Sequence, residues 1–142
     1  MNSGSHMFIA NGKVINPILN MIKNKKYTHF LPKISTLAAR KKWIIGSLNH
    51  NGTIYIDSGA AKALSNGKSL LAAGITKING NFKKGENVII LDQNNIQLAR
   101  GLSSFSSNEI EKIKGKQSKE IEAILGYLSK TEVIHKDDMV LL

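Results

Sequence analysis

The chain has 142 residues, 42% of them hydrophobic, and 20 lysines and arginines against 10 acids give it a formal charge of +10. That length bounds one domain, or one domain with a fragment of another, and the apolar content supports a packed core rather than a disordered polycation. No apolar run approaches the ~20 residues of a membrane span, and the absence of cysteine removes disulfides, thiolate metal clusters and thiol nucleophiles together.

In chain order, Met7-Phe8-Ile9-Ala10 reads as a short strand ending at the turn dipeptide Asn11-Gly12. Pro17 suits the first turn of a helix whose apolar positions are Ile18, Leu19 and Ile22. Thr28 to Leu31 is a second strand stopped by Pro32, which makes a β-α-β piece of an α/β sheet, too short to stand alone. A helix is expected from Ser35 to about Leu48, with Ser35 or Thr36 as its cap and Arg40-Lys41-Lys42 upon it. The period then changes to two: Thr53 to Asp57 is a strand with Ile54 and Ile56 on one face. A short helix over about 58–66 follows, capped by Asp57 or Ser58 and ended by Asn66-Gly67.

Further strands are expected at 69–71, 74–78, 86–91 and 96–102, separated by turns at Asn79-Gly80, Lys84-Gly85 and 92–95. Ser106 and Glu109 stand at capping-box spacing and open a helix over about 106–114, with another over 118–125 ended by Gly126. Glu132 to His135 and Met139 to Leu142 form a closing strand pair. Short strands at this spacing predict a small barrel.

The charge is unevenly placed. Residues 1–50 hold eight basic residues and no acid, whereas 51–142 hold twelve basic and ten acidic. A recognition domain for nucleic acid would spread its basic excess over itself. Here the excess marks a leading segment that packs against acidic surface elsewhere. Cytoplasm is the expected compartment, since no charged, apolar and small-residue leader opens the chain.

Catalytic motifs fail on inspection. Gly67-Lys68-Ser69 resembles the end of a phosphate-binding loop, but Lys62 stands where its first glycine belongs and the run enters a strand. Gly115-Lys116-Gln117-Ser118 fails likewise at Ile110. The four histidines are scattered, and His135 with Asp137-Asp138 reads as a solvated turn rather than a metal site. No serine sits in a Gly-x-Ser-x-Gly elbow.

The corner from Asp57 to Ile75 is more informative. Gly59, Ala60, Ala61, Ala63, Gly67 and Gly74 permit close backbone approach, either by a neighbouring strand or by a nucleic-acid backbone. Lys62 and Lys68 flank the corner; tight packing inside a small barrel would account for the small residues, though not for these lysines.

The pattern Asp57-x-Gly59-Ala60-x-x-Ala63-Leu64, Gly67-x-Ser69-Leu70-Leu71-x-x-Gly74-Ile75 and Phe82-x-x-Gly85-Glu86-x-Val88 resembles the PUA domain, named for pseudouridine synthase and archaeosine transglycosylase. Ala39-Arg40-Lys41-x-Trp43-Ile44, Ser106-Ser107-x-Glu109-Ile110, Gly115-Lys116-x-Ser118-x-Glu120-Ile121 and Glu132-Val133-Ile134-His135-x-Asp137 narrow the resemblance to the C-terminal part of the glutamate 5-kinase family. Ile9-Ala10-Asn11-Gly12 through Phe30 is similar to the last β-α-β of that family's amino-acid kinase domain; Gly4-Ser5-His6-Met7 resembles a vector-derived scar, while Ser3-Gly4 also stands where the family has its own Ser-Gly.

The resemblance implies an α+β, mainly β fold, a PUA pseudo-barrel preceded by a kinase-sheet remnant, divided as remnant 1–36, connecting helix 37–50 and PUA domain 51–142. It implies ATP-dependent phosphorylation of the glutamate γ-carboxylate, with ATP and Mg for the whole enzyme and no cofactor or catalytic residue in this chain. The implied partners are the missing N-terminal kinase domain, a second copy of the chain through its open strand edges, and RNA, with no membrane. The resemblance to PUA domains makes Gly59, Ala60, Lys62, Ala63, Lys68, Ser69, Leu71 and Gly74 the candidate RNA-binding groove, with Lys62 and Lys68 on phosphates, and Arg40, Lys41 and Lys42 the competing basic patch.

Overall fold

The computed structural model describes residues 4–46, 50–127 and 130–142. Leu48, expected near the end of the connecting helix, lies outside them. The chain forms two compact units, Met1–Arg40 and Lys41–Leu142.

In the first unit β1 (Met7–Ile9), α1 (Pro17–Asn24) and β2 (Thr28–Phe30) follow the expected order. The strands pair antiparallel, Met7 opposite Phe30 and Ile9 opposite Thr28, so α1 fills a long hairpin connection rather than a parallel crossover. Pro17 opens α1 after a left-handed Asn16, and Lys25, also left-handed, closes it by donating its N–H to the Met21 carbonyl. None of the α1 residues is buried, and Ile18 and Ile22 are 72% and 62% exposed.

The helix α2 (Thr36–Gly46) runs from the first unit into the second. From there the second unit is built on a five-stranded sheet in the order β5-β3-β6-β7-β9, from β3 (Gly52–Ile56), β5 (Ile75–Gly80), β6 (Asn87–Leu91), β7 (Gln97–Leu102) and β9 (Met139–Leu141). Only β3 and β6 run parallel; the other neighbours are antiparallel. A second, two-stranded sheet pairs β4 (Leu70–Leu71) with β8 (Glu132–Ile134).

The alternation read in β3 holds: Ile54 and Ile56 are fully buried and join Val88, Ile90, Phe82, Phe105 and Ile134 in one core, closed by Leu64 from α3 (Ser58–Ser65), Ile110 and Ile113 from α4 (Ser107–Ile113) and Ile121 from α5 (Ser118–Leu125). The box at α4 forms as its spacing predicts, with the Ser106 N–H donating to Glu109 Oε2 at 2.7 Å.

Three sequence expectations change in detail. The closing strands do not pair with each other: β8 joins β4 and β9 joins β7, because a turn of 3-10 helix at Lys136–Asp138 sends them into different sheets. Residues Ala72–Gly74 form a 3-10 turn, so β5 starts at Ile75. Asn79-Gly80 remains within β5, opposite Thr53 and Gly52, instead of leaving it as a turn.

Candidate functional site

The corner that carries the sequence signal is assembled by local rules. Asp57 leaves β3 in extended geometry, and its Oδ1 accepts the Ala60 N–H at 2.7 Å, fixing the start of α3. At the other end Gly67, at φ +71°, allows the Lys68 N–H to reach the Ala63 carbonyl and its own N–H to reach that of Leu64, closing the helix in a Schellman turn. This turn delivers Lys68 and Ser69 to the entrance of β4. The chain then passes under α3 at Gly74, whose carbonyl accepts the Asp57 N–H. A Cβ on Gly74 would lie 2.4 Å from the Ala60 Cβ, so helix-to-turn packing alone demands glycine there.

Between α3, the segment 68–74 and β8 lies a groove of about 570 Å³, within the range of small-ligand sites. Gly59, Ala60, Ala63, Lys68, Ser69, Leu71 and Gly74 all line it. Lys62 does not: it sits on α3 outside the lining, and its carbonyl accepts bonds from Ser65 and Asn66. Asp57, Leu70, Ala73 and Glu132 complete the wall. Glu132 arrives through the pairing of Leu71 with Glu132 between β4 and β8, a contact across some sixty positions that no local spacing announces. The floor is small and apolar, while the charged groups on the wall are Lys68, Asp57 and Glu132. Ser69 Oγ is already occupied, accepting the Lys136 N–H at 3.0 Å.

The competing basic patch is arranged differently. Arg40, Lys41 and Lys42 are consecutive on α2, so they point about 100° apart and share no single face. Arg40 and Lys42 are exposed and Lys41 is half-buried. The end of this helix is fixed to the barrel: Ile44 is buried, its carbonyl accepts Asn87 Nδ2 at 3.0 Å, and the Ile45 carbonyl accepts Arg100 Nη1 at 3.4 Å. A guanidinium there also complements the negative end of the helix dipole.

Neither Gly-Lys run folds as a phosphate cradle. Lys68-Ser69 leads into β4, and the N-terminus opened by Gln117 holds the Glu120 carboxylate, which accepts the Gln117 N–H at 2.8 Å. His135 and Asp137 form a local turn in which the Asp137 N–H donates to His135 Nδ1. Among the described residues no three His, Asp or Glu side chains gather as metal ligands. His6 and His29, distant in sequence, meet in the first unit with Nδ1 and Nε2 2.8 Å apart, beside the stacked ring of Phe8.

The perturbed carboxylates support structure. Burial acts to raise Glu109, but bonds from the Tyr127 hydroxyl, the Ser106 N–H and the Ser106 hydroxyl outweigh it and hold the carboxyl below its ordinary range. The same contact with Glu109 pushes the Tyr127 phenol up. Glu86 is held low by the Asn51 side chain and then by the Lys83 N–H.

Residues 52–125 match the PUA domain family. A glutamate 5-kinase of Pelagibacter ubique (strain HTCC1062) is 63% identical over 138 residues, covering 97% of this chain and 38% of that protein. A glutamate 5-kinase of Thermoanaerobacter sp. (strain X514) is 47% identical over 144 residues, covering 99% of this chain and 38% of its own length. A PUA domain from Aeropyrum pernix K1 superimposes with a TM-score of 0.46 at 23% identity, over 60% of this chain and 41% of that one. The chain thus spans little more than a third of the length of these curated relatives, and it belongs to the PUA domain family, matching the C-terminal part of glutamate 5-kinases.

Proposed function

We propose that this chain is the structural and regulatory module of a glutamate 5-kinase, whose whole-length activity is ATP-dependent phosphorylation of the L-glutamate γ-carboxylate. The observation that carries the reading is the 63% identity across 97% of the chain, first unit included, to a protein of which it covers 38%. ATP and Mg belong to the remaining portion. Positioning and charge neutralisation of a transferred phosphoryl group need a phosphate cradle, and the two Gly-Lys runs here enter a strand and a helix end already filled by Glu120. The exposed apolar residues of the first unit, among them Phe8, Ile18, Leu19 and Ile22, would be covered by that upstream portion, and in its absence by a second copy of the chain. The boundaries 1–36, 37–50 and 51–142 and a cytoplasmic site follow from the same reading, and no helix among the described residues is long and apolar enough to cross a membrane.

The test is a hydroxamate assay with glutamate, ATP and hydroxylamine. The pure chain should give no γ-glutamyl product, while the full-length protein does; product from the pure chain would overturn the proposal.

A second reading places RNA in the groove. What supports it is that the small residues of α3 and the turn at Gly74 open a groove with Lys68 at its rim. Lys68→Ala should then lower the slope of log affinity against log salt by about 1, and Lys62→Ala, outside the lining, by less. If changing Arg40, Lys41 and Lys42 abolishes binding of a structured RNA while Lys68→Ala leaves it intact, the groove reading fails.

A further inference from the structure

The five-stranded sheet has two open edges, β5 and β9, and they differ in a way that matters for association. The β5 edge carries a lysine, Lys77, over the Tyr55 ring, a placement that discourages pairing with another strand. The three residues of β9, Met139, Val140 and Leu141, carry no charge at all.

The hydrogen-bond phase of β9 can be read from one bond. Leu142 donates its N–H to the Leu98 carbonyl at 3.0 Å. Bonded and non-bonded pairs alternate along an antiparallel ladder, so Val140 exchanges with Arg100 of β7, and the main chain of Leu141, opposite Ala99, points away from the sheet. Beside this outer edge lies a groove of about 350 Å³, lined by Leu64, Gly67 and Met139 to Leu141, with Lys41 and Lys136 at its rim. Asp137 also lines it, next to His135. Neither lysine is ion-paired among the described residues.

We propose that β9 and this groove receive an extended segment of another protein, carrying carboxylates at alternate positions, as a sixth strand of the sheet. Main-chain bonds to Leu141 would give the affinity, and side chains alternating toward the Lys41 and Lys136 rim would give the preference for acids. A second copy of this chain pairing through its own β9 is disfavoured as the occupant, because Met139, Val140 and Leu141 bring no carboxylate to the two lysines.

The full chain, isotope-labelled, is titrated with the peptide Glu-Val-Glu-Val-Glu-Val at physiological salt, with hexaglutamate, a Lys-Val repeat and oligouridylate as controls. The alternating acidic peptide should shift the amide resonances of Met139 to Leu142, and the controls should not. Leu141→Pro removes an outward N–H and leaves the β7 ladder intact. It should weaken peptide binding about fivefold, the equivalent of one main-chain bond worth about 1 kcal/mol, and Lys41→Ala or Lys136→Ala should each weaken it about two- to fivefold. Amide shifts elsewhere, equal binding of hexaglutamate or oligouridylate, unchanged binding by Leu141→Pro, or a β9-mediated dimer without peptide would each overturn the proposal. The wild-type shift map decides the matter even if the proline variant fails to fold.

Discussion

The two compact units treat the same kinds of residue in opposite ways. In the second, Ile54, Ile90, Ile110 and Ile134 are fully buried in one core drawn from both sheets and three helices. In the first, Phe8 is 45% exposed and Ile18 72%, on elements just as apolar in sequence. Charge follows the same division, with every acid of the chain beyond residue 50. A hairpin and one two-turn helix have too little surface to cover their own apolar faces, whereas the two sheets and three helices of the second unit have enough. The lesson is that apolar patterning identifies elements in both regions, but only the second has partners for them within the chain.

The largest expected effect breaks the comparison at its base. Ile90→Ala should cost about 2–5 kcal/mol in urea unfolding followed by circular dichroism, while Ile18→Ala in α1 should stay within about 0.5 kcal/mol. Equal losses would mean that the first unit carries a core of its own.

Gly74→Val comes next. Its Cβ would meet that of Ala60 at 2.4 Å, so overpacking should cost about 1–3 kcal/mol. Adding Ala60→Gly should return part of the loss, and an absence of coupling between the two would show that the close approach is not what limits this position.

Asp57→Ala removes the cap whose Oδ1 accepts the Ala60 N–H, and should cost about 1 kcal/mol. Asp57→Asn should retain most of that stability, as a neutral cap does.

The smallest effect is a pH dependence. The Glu109 carboxyl sits below its ordinary value of 4.5 in the folded chain. The stability it contributes is therefore complete above that value and is lost as the pH falls through the lower folded one. Glu109→Gln should flatten this acid limb without moving the neutral-pH melting temperature by more than a few degrees; an unchanged acid limb would remove Glu109 from the account.

What the sequence disclosed follows the range of the interactions involved. The Asp57 cap, the Gly67 turn and the Ser106 and Glu109 box depend on residues within a few positions of one another, and each formed as its spacing predicts. The groove wall did so only in part. Its α3 and β4 side was legible as one contiguous run of small residues, but Glu132 was not, because the pairing of β4 with β8 is set by the way the chain packs and not by any spacing. Lys62 shows the converse. Nearness in sequence to Ala63 suggested the groove, yet on α3 the adjacent position turns 100° away from it. The separation of β8 from β9 was hidden for a similar reason, as the short turn at Lys136–Asp138 gives no sign that the chain changes sheet there.

Hydrogen exchange on the full chain, read residue by residue, tests the central claim most directly. If the barrel is the self-sufficient module and the first unit a piece of a larger sheet, amides of β3 and β6 should exchange only through global unfolding, while those of β1, β2 and α1 exchange through openings that cost far less. In full-length glutamate 5-kinase the same three elements should become protected. Global-level protection of β1, β2 and α1 in the 142-residue chain by itself would contradict the account.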